Sequence, residues 1–481
     1  MSFKNHKSKA ISVQINKNME KSHEIRYTYG NVMRNEDKMK ETNIGMRNYM
    51  IYQVYIRSFS ESGTFLGLIN ELERIKRLGT DIIYLLPIHP IGLKNRKGTL
   101  GSPYAISDYF AINPEFGDLE DFKRLIQRAH DLKMKVMIDV VYNHTSRDSK
   151  LLKAHPEWFY KDAKNQPANR IGEWWDVVDL DYSQSQDLWT YLIDVLKYFA
   201  GLGVDGFRAD VSSTIPLDFW FMARRAVEEV GKDVIWLSES VQGPFVKMMR
   251  DRGFNCHSEA EMFQAFDMAY DYDVYPEMLR YLDGQIELSD YLQCLVRQEQ
   301  VYPHNYVKIK YLENHDTPRI ACRLKENHRR ILNWTAFMTF QKGAMFVYNG
   351  QEYSSTRQLS LFEKESITQE RDISDWIAIL AKLKHRKVFA EGEFTPEIMA
   401  PDGLVITYEN KAEKIMGFFQ LGEKPEAISC SLPDGAYRNR LGQEKVVVKG
   451  GKIDYQDLPC VFLFSKPGGK HHHLIHAGIK R

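Results

Sequence analysis

No uncharged apolar run in the 481-residue chain approaches the roughly 20 residues that a bilayer-spanning helix needs, so no membrane partner is expected. Charge of one sign is missing as well. Lys and Arg number 65 against 64 Asp and Glu, and a net charge of +1 gives no global field to gather nucleic acid or anionic lipid. Cysteine is sparse: Cys256, Cys294, Cys322, Cys430 and Cys460 are scattered, with no CxxC pair. That excludes a disulfide framework or a zinc ribbon and fits a reducing compartment. The opening stretch MSFKNHKSKAISVQINKNME has no apolar core of the signal-peptide kind, and a cytoplasmic location is the expectation. There is no GxGxxG opening a βα unit, no GxxxxGK[ST] and no HExxH. Dinucleotide, nucleoside-triphosphate and zinc-helix chemistry therefore have no support, and no organic cofactor is expected.

What is present is an alternation of two periods. Ile51 to Ile56, Asp81 to Pro87, Val136 to Val141, Val204 to Phe207, Val234 to Leu237, Phe266 to Tyr270, Tyr306 to Leu312 and Ala344 to Tyr348 read as strands. Several are continuous apolar runs without alternation, as expected of parallel strands buried on both faces. Between them lie helical stripes: Phe65 to Leu78 closed by Gly79, Leu119 to Leu132 capped by Asp118 with Asp121 three residues on, Leu188 to Phe199, Phe219 to Val230, and Ser374 to Lys384. Alternation over this length predicts a (β/α)8 TIM barrel, with a doubly wound sheet as the competing architecture. Residues 143–182 break the rhythm and predict a small insertion after strand 3, over the mouth. From about Val388 only short β runs remain (LVITYE, KIMGFF, VVV, VFLF), which predicts a C-terminal antiparallel β-sandwich. The expected division is an N-terminal extension over 1–46, a barrel over 47–387, a sandwich over 388–468 and a His-rich tail over 469–481. Both ends are read as disordered.

Four stretches run from apolar residues into a polar cluster: DVVYNHTS (Asp139 to Ser146), GVDGFRAD (Gly203 to Asp210), VIWLSES (Val234 to Ser240) and YLENHDTPR (Tyr311 to Arg319). Acids at the C-terminal ends of several barrel strands converge on one mouth, where such folds do their chemistry. A lone Asp at a strand end is most often a cap or an ion-pair partner. Asp, Arg, Glu and His-Asp recurring in this order is a different matter, and points to work at a glycosidic bond.

These stretches resemble the conserved regions of the α-amylase superfamily, glycoside hydrolase family 13, over nearly everything from Met50 to Lys466. LPIHPIGLKNRKGTLGSPYAISDYFAINPEFG (Leu86 to Gly117) is similar to compact bacterial intracellular members. The resemblance implies Asp210 as nucleophile of a retaining mechanism, Glu239 as acid/base and Asp316 as the carboxylate that stabilises the transition state. It implies Arg208 beside the nucleophile, His144 and His315 as hydrogen-bonding partners of the sugar, and Tyr104 as its stacking platform. Asp108 is implied as a supporting residue at the substrate site, and Asp139 as a structural aspartate. The implied partners are α-1,4-linked gluco-oligosaccharides. Hydrolysis of soluble maltodextrins is the first reading, α-glucosidase action or 4-α-glucanotransfer the second. A non-catalytic homologue is disfavoured because all three acids and Arg208 are present.

Physical chemistry adds two expectations. Arg208, at i−2 on a strand, shares a face with Asp210 and should keep it ionised. Glu239 should be raised so that it carries a proton. The chain departs from many relatives after the nucleophile, where Ser213 and Thr214 replace a Lys-His pair. That departure leaves calcium open, with Asn143 as one oxygen ligand and Asp176 or Asp179 as others. Trp158, Trp174 and Trp175 are weighed between sugar stacking and core filling.

Overall fold

The computed structural model describes residues 41–231, 233–424, 427–453 and 458–466. Most of the expected N-terminal extension (1–40) and all of the expected tail lie outside the described residues. Eight parallel strands form a closed barrel: β1 (Met50–Val54), β2 (Ile82–Leu85), β3 (Lys135–Val140), β4 (Gly206–Ala209), β5 (Ile235–Ser238), β6 (Met268–Ala269), β7 (Ile309–Lys310) and β8 (Ala344–Tyr348). Strand β8 pairs back onto β1, and the ring closes between β6 and β7, where the Ala269 N–H donates to the Val307 carbonyl at 3.0 Å. Their residues are buried almost without exception, which is why the sequence shows runs in place of alternation.

Several boundaries move. Strand β4 starts at Gly206, not Val204, because the preceding helix (Gln186–Leu202) ends on a left-handed Gly203 (φ 108°) and the chain needs two more residues to enter the sheet. Strand β7 is shorter than expected because the chain leaves the sheet into the loop that carries His315 and Asp316. The stripe from Phe65 to Leu78 is two short helices, Phe65–Ile69 and Leu72–Arg77, broken at the polar Asn70-Glu71 step. Gly79 does close it, at φ 97°, where a Cβ would lie 2.5 Å from the Ala381 Cβ. Asp118 and Asp121 form a reciprocal capping box.

The insertion is more ordered than its composition suggested. His144–Ser146 and Val177–Asp179 form an antiparallel pair, with His144 directly opposite Asp179. Behind the barrel, β9 (Glu393–Ala400), β10 (Gly403–Glu409), β11 (Glu413–Gln420) and β16 (Cys460–Ser465) make one antiparallel sheet in the order β9-β10-β11-β16. The second sheet has the order β12-β15-β14-β13, from β12 (Ile428–Ser429), β13 (Gly435–Arg438), β14 (Lys445–Lys449) and β15 (Lys452–Ile453). Strand β9 carries Pro396 and so escapes a strand reading; as an edge strand it tolerates the missing donor. Val405, Met416, Phe418, Ile428, Val448 and Phe462 fill the space between the sheets. The first sheet docks on the barrel through Phe419, whose ring meets Phe337 and Phe340 at 5.9 and 5.2 Å. Among the described residues, no helix is long and apolar enough to cross a membrane.

Candidate active site

The site is assembled at the C-terminal ends of β3, β4, β5 and β7. Asp139 stands on β3, Arg208 on β4 with Asp210 just past its end, and Glu239 just past the end of β5. The loop after β7 brings His315 and Asp316, the loop after β2 brings Tyr104, and His144 opens the insertion. Arg208 is fully buried at the centre. Its Nη1 donates to both carboxylate oxygens of Asp139 (2.9 and 2.8 Å) and to Asp210 Oδ1 (2.8 Å). Its Nη2 lies 2.9 Å from Glu239 Oε2. Asp210 and Glu239 are thus held by the two ends of one guanidinium and share one side of the molecule.

The second half of the cluster is a relay. The Gln53 side-chain amide meets His315 Nδ1 at 3.0 Å, and His315 Nε2 lies 2.6 Å from the Tyr104 hydroxyl and 3.1 Å from Asp316 Oδ2. The Tyr104 hydroxyl donates to Asp139 Oδ2 at 3.1 Å, beside a second donor, the Tyr84 hydroxyl, at 2.7 Å. With Nδ1 accepting from Gln53, the His315 proton sits on Nε2. Tyr104 and His315 stack at 5.6 Å and 15°.

Electrostatics follow from one cation serving three acids. Burial pushes Asp139 up to about 6, against the pull of Arg208 and the Tyr84 hydrogen bond. Asp210 is driven well above the ordinary carboxylate range, first by burial and then by the Glu239 charge, with Arg208 opposing both. This corrects the expectation that Arg208 keeps Asp210 low: its charge is divided between Asp139, Asp210 and Glu239. Burial brings His144 down to about 4, reinforced by Lys97, and His315 down to about 3, reinforced by Arg208; both rings are neutral at pH 7.

Some candidates do not join the cluster. Asp108 pairs with Lys150 at 2.6 Å and accepts from the Phe110 N–H at 3.1 Å. Trp158 is a core residue, buried and stacked on His155 at 3.8 Å. Trp174 lies 5.5 Å from the His144 ring, on the wall of the site. Trp175 is exposed, with the Lys97 ammonium 4.6 Å from its ring centre.

The oxygens considered for calcium are engaged by donors of the chain. Asn143 Oδ1 accepts from the Thr214 hydroxyl at 2.7 Å, Asp176 pairs with Lys97 at 3.1 Å, and Asp179 Oδ2 accepts from the Arg170 N–H at 2.8 Å. Only Asp179 Oδ1 among them is buried without a partner. With the cationic side chains of Arg170 and Lys97 already against Asp179 and Asp176, this donor set does not fit calcium, which takes six to eight oxygens.

Several members of the cluster escaped the sequence reading. Gln53 and Tyr84 lie on β1 and β2 and look like ordinary strand residues. Tyr272 faces Glu239 Oε1 at 3.1 Å from just beyond β6. Val211 contributes its backbone: it sits at φ 43°, ψ 37°, and its N–H donates to Glu239 Oε2 at 2.8 Å. A β-branched residue in the left-handed region is strained, and strain of this kind collects at functional sites. Position after a key aspartate was the only signal available.

A closed barrel with acids gathered around one arginine at its C-terminal mouth, backed by a β-sandwich, is the build of a glycoside-acting enzyme. The chain belongs to the alpha-amylase family, glycoside hydrolase family 13. Residues 53–391 match the alpha amylase catalytic domain and residues 397–462 the bacterial alpha amylase C-terminal domain. An alpha-amylase from Lactobacillus plantarum is 42% identical, with a TM-score of 0.85 over 88% of this chain and 100% of that one. A noncanonic maltogenic alpha-amylase, AmyB from Thermotoga neapolitana, is 32% identical, with a TM-score of 0.78 over 88% and 100%. An alpha-1,4-glucan:maltose-1-phosphate maltosyltransferase from Rhodospirillum rubrum is 31% identical over 282 residues; the match covers 54% of this chain but only 37% of that enzyme's length. The chain is an α-glucan-acting enzyme.

Proposed function

We propose that the chain is a retaining hydrolase of α-1,4-glucosidic bonds in soluble maltodextrins, acting in the cytoplasm. The observation that carries this reading is the shared guanidinium: Arg208 holds Asp210 and Glu239 on one side of the mouth. Retention needs carboxyl groups about 5 to 5.5 Å apart, so that one can bond C1 while the other reaches the glycosidic oxygen. In this reading Glu239 gives its proton to the leaving oxygen as Asp210 attacks C1, forming a glycosyl ester. Glu239 then removes a proton from water, which attacks C1 and releases Asp210. Tyr272, whose hydroxyl donates to Glu239 Oε1 at 3.1 Å, supports the carboxylate form of Glu239 once its proton has left. Asp316, with about half of its side chain exposed, is available to the sugar hydroxyls, and Tyr104 to the sugar face. Arg208 counters the negative charge left on Asp210.

Water is favoured over a sugar acceptor by the residues after the nucleophile. Ser213 Oγ accepts from the Val241 N–H, and the Thr214 hydroxyl donates to Asn143, so neither offers a charged donor to a second sugar. Transfer to a sugar hydroxyl is the second reading, supported by the maltosyltransferase relative. A product time course on maltoheptaose separates the readings. A spread of shorter products supports hydrolysis, and early products longer than the substrate overturn it in favour of transfer. Stepwise release of glucose alone assigns α-glucosidase action.

A further inference from the structure

The insertion is fastened to the barrel at the junction of Asn143, Asp179 and Leu180. There the Leu180 N–H donates to the Asn143 carbonyl at 2.9 Å, and His144 lies opposite Asp179 in the strand pair. A buried carboxylate and a carbonyl converging this way call for a cation. Arg170 meets both. Its N–H and Nη1 lie 2.8 and 3.2 Å from Asp179 Oδ2, and Nη1 and Nη2 each lie 3.2 Å from the Leu180 carbonyl oxygen. The planar guanidinium also lies over Tyr160 (4.7 Å) and over Phe254 (5.4 Å), which follows the helix after β5. One side chain thus ties the insertion's return strand to the segment that follows Glu239.

We propose that Arg170 is the resident cation of this junction, taking the part of a divalent metal ion, and that it is a positioning residue for His144. A guanidinium fits the task because its donors point along a fixed plane, toward a carboxylate on one side and a carbonyl on the other. A metal placed beside it would meet like charge and one unpartnered oxygen, Asp179 Oδ1. Thr214 and Lys97 complete the substitution by occupying Asn143 and Asp176.

The full chain, treated with EDTA and desalted, tests this through metal content and melting, neither of which depends on the reaction proposed above. The expected result is less than one calcium per ten chains by elemental analysis and a Tm within about 1 °C of the untreated protein. One calcium per chain, with a Tm that falls on chelation and returns on adding calcium, would overturn the proposal. Arg170→Ala should lower Tm by roughly 5 °C, because it strands Asp179. It should also reduce kcat/KM on maltoheptaose by about tenfold, as expected when a contact to the substrate is misplaced. Arg170→Lys should recover part of both losses by restoring the charge without the fork. An Arg170→Ala protein that melts and turns over as wild type overturns the proposal. If that variant does not fold, chelation of the wild type decides alone.

Discussion

Arg208 and Arg319 are both fully buried, both lie at the barrel mouth, and both hold carboxylates, yet their surroundings differ in kind. Arg319 has one acid, Glu313, at 2.6 Å; its remaining donors go to the carbonyls of Asn349 and Arg357, each at 3.0 Å. Glu313 is completed by the Ile320 N–H at 2.6 Å. That pair is closed, and it pins the loop carrying His315 and Asp316. Arg208 has three acids, a buried Nε without a partner, and a strained neighbour in Val211. A structural ion pair balances its charges; the candidate catalytic cluster sets three acids against one cation. Catalysis by proton transfer needs such a surplus, and stability does not.

Replacing Glu239 by Gln gives the sharpest test of that contrast. Turnover on maltoheptaose should fall by about 10²- to 10⁴-fold, the range for loss of a general acid. The melting temperature should stay level or rise, because one acid leaves a cluster that sets three acids against one cation. Retained turnover, or a drop in Tm of several degrees, would place Glu239 with the structural acids.

Arg319→Met should do the reverse. It leaves Glu313 buried and unpaired, at a cost of about 3–5 kcal/mol read by denaturant titration. A stability equal to wild type would break the distinction between the two arginines.

The buried histidines extend the comparison to pH. Burial holds His89 down to about 4 in the folded chain, whereas an unfolded histidine titrates near 6.5. Between those values the unfolded chain takes the proton and the folded chain does not, so stability is lost as pH falls from 6.5 toward 4. The His89 share is roughly 3 kcal/mol. His89 packs on Tyr109 and Phe199, with Nδ1 3.1 Å from the Ala111 carbonyl oxygen; the Asp108 charge opposes the effect of burial without overcoming it. Stability curves of wild type and His89→Gln between pH 7 and 4 should therefore diverge in favour of the variant. Parallel curves would mean that the ring is not held neutral.

The smallest expected effect is at Val211. Val211→Gly removes a left-handed penalty of roughly 1–2 kcal/mol but frees the N–H that steadies Glu239. A several-fold lower kcat at unchanged or higher Tm is expected. Unchanged kcat would reduce the strain to a local accident of the turn.

The barrel was legible because parallel strands buried on both faces write themselves as apolar runs, and Ala344 to Tyr348 is placed to the residue. That Asp210, Glu239 and Asp316 would gather at one mouth was legible because acids at the ends of such runs are uncommon and their order is distinctive. Tyr272, Gln53 and Tyr84 were not. Their partners lie 33, 262 and 55 residues away in sequence, and no local pattern marks a tyrosine or glutamine that will cross a barrel. Pro396 hid a strand by breaking the local rule that an edge position permits.

The sequence by itself determined which elements form and which residue types reach the ends of the barrel strands, because periodicity and strand direction are local properties. Only the tertiary structure decided how charge is shared there. Hydrogen bonding and Coulomb interaction depend on distances between segments far apart in the chain, so the division of Arg208 among three acids became visible only once the barrel had closed.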